Sequence, residues 1–259
     1  MPCPDCSSLA DGPRVFRVEE ASSSLDAALE LAEKGSLGVW DSLLAARQTA
    51  GRGQLRRQWI SPPGNLYAAL RLPLSAPFSS TAASVAVGGL LVGALEKMGW
   101  PVQLKWPNDI VAVIKARPRK LGGILLEERR GVLLAGVGLN VTSAPEADML
   151  RRDAAMPAAS LAGLTDSPPG VETLWRRLVK HAYSVYTEED NYCGRWREQV
   201  ERLLLWRGEM VALTDEKGTA RGVLQGLAPS GAACLRLCGE TKEFWTGSMS
   251  PACSGWTAF

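Results

Sequence analysis

The sequence predicts an α+β fold: a mixed, mostly antiparallel sheet with packed helices, followed by a small C-terminal β-barrel. Three features point there. Between residues 102 and 141 short apolar runs alternate with tight turn segments, which suits an antiparallel meander. Residues 171–186 and 192–205 carry apolar side chains at helical spacing. After Trp206-Arg207-Gly208 the pattern becomes all strand, in a stretch of about fifty residues that can fold as a small unit.

Residues 1–14 form a flexible leader rich in Pro, Ser and Asp, residues 15–206 the main unit, and residues 207–259 the barrel. A first strand is expected over 14–19. Ser23 and Ser24 precede Leu25, Ala28, Leu29 and Ala32. Serine caps a helix start by accepting a free backbone N–H, and Gly35 suits the stop, so a helix is expected over 24–34. Residues 39–47 and 66–72 read as strands. The polar, Gly/Pro-rich stretch 48–64 between them is a long loop, and loops of that length usually have a task. Residues 79–98 form a nearly all-apolar helix, buried on most sides. Strands follow at 102–106, 110–114, 121–127 and 132–141, the last apolar enough to be covered on both faces. Residues 143–170 are an irregular connector. The barrel strands are expected at 210–214, 220–225, 233–237 and 243–246.

Composition excludes several classes. Hydrophobic residues make up 46% and charged residues 22%, an ordinary globular balance. Lys plus Arg is 29 against 27 for Asp plus Glu, so there is no basic excess for nucleic acid and no DNA partner is expected. The start of the chain lacks the apolar stretch of a signal peptide, and the most apolar run, 85–95, is too short to span a bilayer. A cytoplasmic location without a membrane partner is expected. The six cysteines are scattered, which favours free thiols. Cys3 and Cys6 form a C-x-x-C pair with no second pair at zinc-finger spacing, so no metal site is assigned there. The single histidine, His181, would have to carry any His-dependent triad or multi-His centre alone. Phosphoryl or nucleotidyl transfer needs none, because Arg, Lys and Mg²⁺ supply the charge stabilisation.

Three segments can bear such chemistry. The first is Gln48-Thr49-Ala50-Gly51-Arg52-Gly53-Gln54-Leu55-Arg56-Arg57. Its glycines let backbone lie against a ligand, and its arginines can fork onto phosphate or carboxylate. It is neither a Rossmann nor a Walker loop, and by composition alone a flexible basic surface loop is an equal reading. The second is Lys105-Trp106-Pro107-Asn108-Asp109, where Pro107 should end a strand and leave Asn108 and Asp109 projecting. A plain Asn-Asp turn is the bland alternative. The third is Lys120-Leu121-Gly122-Gly123, a lysine at a strand mouth with glycines permitting close ligand approach, or simply a solvated lysine beside a bulge.

In this order, QTAGRG (48–53), WISPPGNLY (59–67), KWPNDI (105–110), KLGGILLE (120–127) and GVGLNV (136–141) resemble the motifs of biotin–protein ligases. The likeness covers roughly residues 15–250 and includes Trp245-Thr246-Gly247 in the end unit. It implies a class II synthetase-like domain with an SH3-like end barrel. It implies an ATP-dependent enzyme that forms biotinyl-5'-AMP and passes biotin to a lysine of a biotin carboxyl carrier domain, with biotin, ATP and Mg²⁺ as small partners. A homodimer is left open.

The resemblance assigns roles residue by residue. Ser23 and Ser24 match the start of a Ser-Thr-Asn motif that holds the biotin ureido ring, with Leu25 standing where the family usually has Asn. Gln48 lines the same pocket. Gly51, Arg52, Gly53 and Gln54 lie in the loop that folds over biotin and the AMP phosphate, and Trp59 flanks the adenylate. Asn108 and Gly123 line the substrate site. Lys120 contacts the biotin carboxylate and α-phosphate, Asp109 receives the carrier lysine, and Asn140 helps hold the Mg-bound nucleotide. Arg52, Lys120 and Asp109 are thus the expected catalytic residues, with Arg52 and Lys120 converging to offset the repulsion between two anions. The family loop usually continues Gly-Arg-Gly-Arg-Arg-Gly, whereas here Gln54-Leu55-Arg56 follows Gly53, which predicts a looser hold on the adenylate. That departure leaves a lipoate or octanoate ligase as an alternative, and a non-catalytic sensor as a third reading. Some family members carry an N-terminal winged-helix DNA-binding domain. The stretch before residue 15 is too short for one, so the ligase alone is expected.

Overall fold

In the computed structural model, the structure describes residues 12–54, 57–145, 156–188 and 192–252. Cys3, Cys6, Leu55 and Arg56 lie outside the described residues, as does nearly all of the expected leader.

A seven-stranded sheet carries the main unit, in the order β1-β2-β3-β7-β6-β5-β4. β1 (Val15–Ala21) and β2 (Ser42–Gln48) run parallel, with α1 (Ser24–Glu33) between them in the chain. β3 (Leu66–Leu72), β4 (Val102–Lys105), β5 (Asp109–Ile114), β6 (Arg117–Arg129) and β7 (Val132–Leu139) add antiparallel neighbours. The expected meander is therefore present from β4 to β7. β7 lies in the middle of the sheet and is buried at every position but Gly138.

Alternation along the strands divides the core. On one face Leu43, Ala69 and Leu134 pack against Leu25, Ala28 and Ala32 of α1. On the other, Leu44, Ala68, Leu70, Ala135 and Val137 join the larger core with α2 (Ala83–Lys97), α3 (Val171–Glu188) and α4 (Tyr192–Leu203). Each fully buried Leu or Val there contributes about 1.5–3 kcal/mol. α2 is buried because two glycines let neighbours close on it: a Cβ on Gly88 would stand 2.6 Å from Leu104, and Gly89 meets Val200.

Helix α1 starts and stops as its sequence dictates. Ser23 Oγ accepts from Leu25 N at 3.3 Å, and Gly35 follows the last turn with φ +72°. β2 begins at Ser42 rather than at Val39, because Trp40 takes a left-handed φ of 68°. Its indole is held by Phe78, Tyr183 and Tyr186 at centroid distances of 5.1–5.9 Å.

The C-terminal strands β8 (Met210–Asp215), β9 (Gly218–Leu227), β10 (Ala233–Leu237), β11 (Glu240–Phe244) and β12 (Ser248–Pro251) form one antiparallel sheet, ordered β11-β10-β9-β8-β12. The expected barrel is not closed. β12, which the sequence pattern does not reveal, returns to β8 rather than to β11, so β11 and β12 are the two edges. Val211, Leu213, Leu224 and Leu235 share the larger core with α2 and α4. No helix among the described residues is long and apolar enough to cross a membrane.

Candidate active site

Glycine makes one face of the sheet hollow. Gly123 on β6 pairs with Gly138 on β7, and a loop side chain fills the space left above them. A Cβ on Gly138 would stand 2.5 Å from Trp59 Cε2, and one on Gly123 would stand 3.4 Å from Trp59 Cζ3. The indole therefore lies flat on backbone. Its Nε1 is buried and has no hydrogen-bond partner among the described residues, and a buried donor left so costs about 1–3 kcal/mol.

The loop that delivers Trp59 is pinned at both ends. Thr49 N and Ala50 N donate to Ala21 O and Ser22 O, and Tyr67 OH donates to Pro62 O at 2.6 Å. Asn65, buried, accepts from the backbone N–H groups of Val141, Thr142 and Ser143, and donates to Ser143 O. Within the loop the chain doubles back: Gly53 N donates to Arg57 O, and Trp59 N to Gly51 O. Gly51 must be glycine, since a Cβ there would stand 2.6 Å from Trp59 O and 2.8 Å from Ser61 Oγ. Gln54 stays within this hairpin, its carbonyl accepting from Arg57 N.

Gln48 ties the loop to the N-terminus of α1. Its Oε1 accepts from Ser24 N at 2.8 Å and its Nε2 donates to Ser61 Oγ at 3.1 Å. Ser23 and Ser24 are buried at this junction. Leu25 faces the same sheet surface, its Cδ1 2.9 Å from where a Gly136 Cβ would be.

At the other rim stand the charges. Lys120 Nζ lies 2.6 Å from Asp109 Oδ1 and 5.7 Å from the centroid of the Trp59 ring. Asp109 also takes a second cation, Lys105 Nζ, at 3.3 Å on Oδ2. Burial pushes the Asp109 carboxyl up, yet the two lysines outweigh it and hold it below its ordinary range. Asn108 secures the turn, donating from Nδ2 to Ile124 O at 2.8 Å. Asn140, 4% exposed, donates to Ala159 O at the end of β7.

Arg52 is engaged elsewhere. Its guanidinium makes a bidentate pair with Asp26 at 2.6 and 2.9 Å, and reaches both oxygens of Glu127 at 3.2 Å. Arg129 completes a four-membered cluster on the same two acids. Asp26 is held below its ordinary range, the Arg52 hydrogen bond being the largest cause. Glu127 lies four residues beyond Gly123, roughly 13 Å along the strand at a rise of ~3.3 Å per residue. The structure thus gathers Lys120, Asp109, Gly123 and Trp59 at one rim, and Ser23, Ser24 and Gln48 at α1. It does not bring the cations of Arg52 and Lys120 together, since different carboxylates hold them.

Comparison with known proteins decides the family. Residues 27–142 match the model of the Biotin/lipoate A/B protein ligase family. A biotin–[acetyl-CoA-carboxylase] ligase of Mycobacterium tuberculosis is 30% identical over 215 residues, covering 80% of this chain and 77% of that one. The chain belongs to the biotin–protein ligase family. A second such ligase, from Paracoccus denitrificans, is 29% identical over 223 residues, 81% of this chain and 88% of that one. Among solved structures, biotin protein ligase from Aquifex aeolicus in complex with biotin and ATP superposes with a TM-score of 0.74 at 25% identity, covering 92% and 99% of the two chains.

Within this ligase, sequence reasoning passed over Lys105, Asp26, Glu127 and Asn65. Lys105 carried a signal: a lysine four residues before an acid, in a strand otherwise alternating toward the core. Asp26 and Glu127 carried none, for their link to Arg52 spans 26 and 75 residues of sequence.

Proposed function

We propose that this chain is an ATP-dependent ligase that forms biotinyl-5'-AMP and transfers biotin to a lysine of a biotin carboxyl carrier domain of an acetyl-CoA carboxylase. The observation that carries this reading is Lys120, poised between Asp109 and the glycine cradle under Trp59. A partly exposed cation there serves an anionic ligand lying on bare backbone.

In the first step a biotin carboxylate oxygen attacks the α-phosphorus of ATP, and the bond to pyrophosphate breaks. Lys120 turns from Asp109 to the paired anions and offsets their repulsion. The 49–64 loop excludes water, and Trp59 moves from the glycines to flank the adenylate, giving its Nε1 an acceptor. Arg52 joins only by leaving Asp26 and Glu127. Ser23, Ser24, Leu25, Gln48 and Asn108 shape the biotin end. In the second step the carrier lysine attacks the biotinyl carbonyl, AMP leaves with the electron pair, and Asp109 takes the amine proton.

Among the described residues no three His, Cys, Asp or Glu side chains converge. That donor set fits a Mg²⁺ held mainly by nucleotide phosphates, with Asn140 beside it. The ion would supply neutralisation of phosphate charge. We assign the seven-stranded sheet to a class II synthetase-like catalytic unit over 15–206, and the C-terminal strands from 207 to an SH3-like end unit.

The test is incubation with biotin, MgATP and a carrier domain, reading a mass gain of one biotin on the carrier lysine and release of pyrophosphate. Absence of both with biotin, and their appearance with lipoate or octanoate, would transfer the assignment to the sister activity that the family description also includes.

A further inference from the structure

Lys105 is a buried lysine for which the two-step reaction gives no role. It ends β4, is 7% exposed, and lies 3.3 Å from Asp109 Oδ2. Lys120 takes the other oxygen, Oδ1, at 2.6 Å and is about one-third exposed, with its side chain 34% accessible. The two lysines are thus unequal. One is fixed inside the fold at the strand end, and the other is free enough to swing into the cradle. An ammonium buried that deeply is retained only when paired, and Asp109 is the carboxylate it pairs with.

We infer that Lys105 is a positioning residue for the transfer step: it keeps the Asp109 carboxylate ionised and aimed while Lys120 is away on the ligand. This rests on the reading of Asp109 as the acceptor of the carrier-lysine proton. When Lys120 turns to the carboxyl–phosphate anhydride, Asp109 loses its nearer cation inside a buried site. Without a second cation its proton affinity would rise, and it would also be free to rotate. Lys105 prevents both, since its charge persists through each step and its hydrogen bond fixes Oδ2. Among the described residues the charged groups facing Asp109 are Lys105 from β4 and Lys120 from β6, and Lys120 in turn lies over the neutral Trp59 ring. In the step itself the amine nitrogen bonds to the biotinyl carbon, the carbon–oxygen bond to AMP breaks, and the proton goes to Asp109. Lys105 neither gains nor loses a proton.

The experiment follows transfer from preformed biotinyl-AMP to a carrier domain as a function of pH, with adenylation measured in parallel by pyrophosphate release. Lys105→Met should lower kcat for transfer with little change in KM for the carrier. It should also move the acid limb of the profile upward by about one pH unit or more. Lys105→Arg should restore the limb. On an Asp109→Asn background, Lys105→Met should slow transfer no further. Should methionine at 105 fail to fold, Lys105→Gln, a donor without charge, is read in the same way. An unmoved acid limb in a folded neutral variant, or an equal slowing on the Asp109→Asn background, overturns the inference. Wild-type protein that never biotinylates the carrier would overturn the functional reading instead.

Discussion

The Trp59 indole rests on the Cα of Gly138, so closely that a Cβ there would lie 2.5 Å from Cε2 and 2.8 Å from Nε1. Gly138→Ala should therefore dislodge the indole and the loop with it. The expected outcome is a red-shifted tryptophan emission in a Trp59-dependent difference spectrum, with adenylation slowed by roughly tenfold or more, as misplacement near a reacting centre costs. Unchanged emission would show that the ring has another resting place.

Asp109→Asn should separate the two half-reactions. Transfer from preformed biotinyl-AMP should fall by about 10²–10⁴-fold, the usual worth of a positioned base. Stability should fall by about 1–3 kcal/mol in a denaturant melt, because the buried Lys105 loses its charged partner.

The pH dependence follows from the direction of the same carboxyl. Burial raises its proton affinity, but Lys120 and Lys105 lower it further, so the folded value lies below the ordinary 3.8. Its contribution to stability is complete above that ordinary value and disappears as pH falls through the depressed folded value. Between pH 5 and 8 a stability titration of wild type minus Asp109→Asn should be flat, and a slope in that window would place the carboxyl elsewhere.

Freeing Arg52 should ease its approach to phosphate. Asp26→Asn removes the bidentate half of its clamp. Stability should change by less than about 1 kcal/mol, since these side chains are partly exposed. KM for ATP should fall a few-fold in initial-rate measurements. A raised KM would mean that the acids aim Arg52 instead of competing for it.

Leu25→Asn should not improve biotin binding without a cost. Leu25 is 4% exposed against Gly136 and the α1 core. Burying an amide there should cost about 1–3 kcal/mol, read as a lower Tm.

How far the sequence foretold this molecule depends on the range of the interactions. Helix α1 was legible because Ser23 and Gly35 act within a turn of themselves, and β3 because its near-continuous apolar run is buried at every position but Arg71. Trp40 was not, since its left-handed backbone is imposed by Phe78, Tyr183 and Tyr186 from distant segments. Strand β12 has four residues, one fully buried side chain in Met249 and a terminal proline, too little for a period. In the site, the order of motifs placed Lys120, Asp109 and Trp59 in one region. The clamp on Arg52 stayed hidden, because charge pairing between α1, the loop and β6 leaves no local trace.

Trp106 donates through its indole nitrogen to Gly231 O at 3.0 Å, and Gly231 in turn abuts Ala82 at the head of α2. The turn that presents Asp109 is thus braced from behind by the C-terminal sheet. Damage to the 228–232 corner would reach the chemistry mechanically, through a slackened turn, although no side chain of that corner enters the cradle.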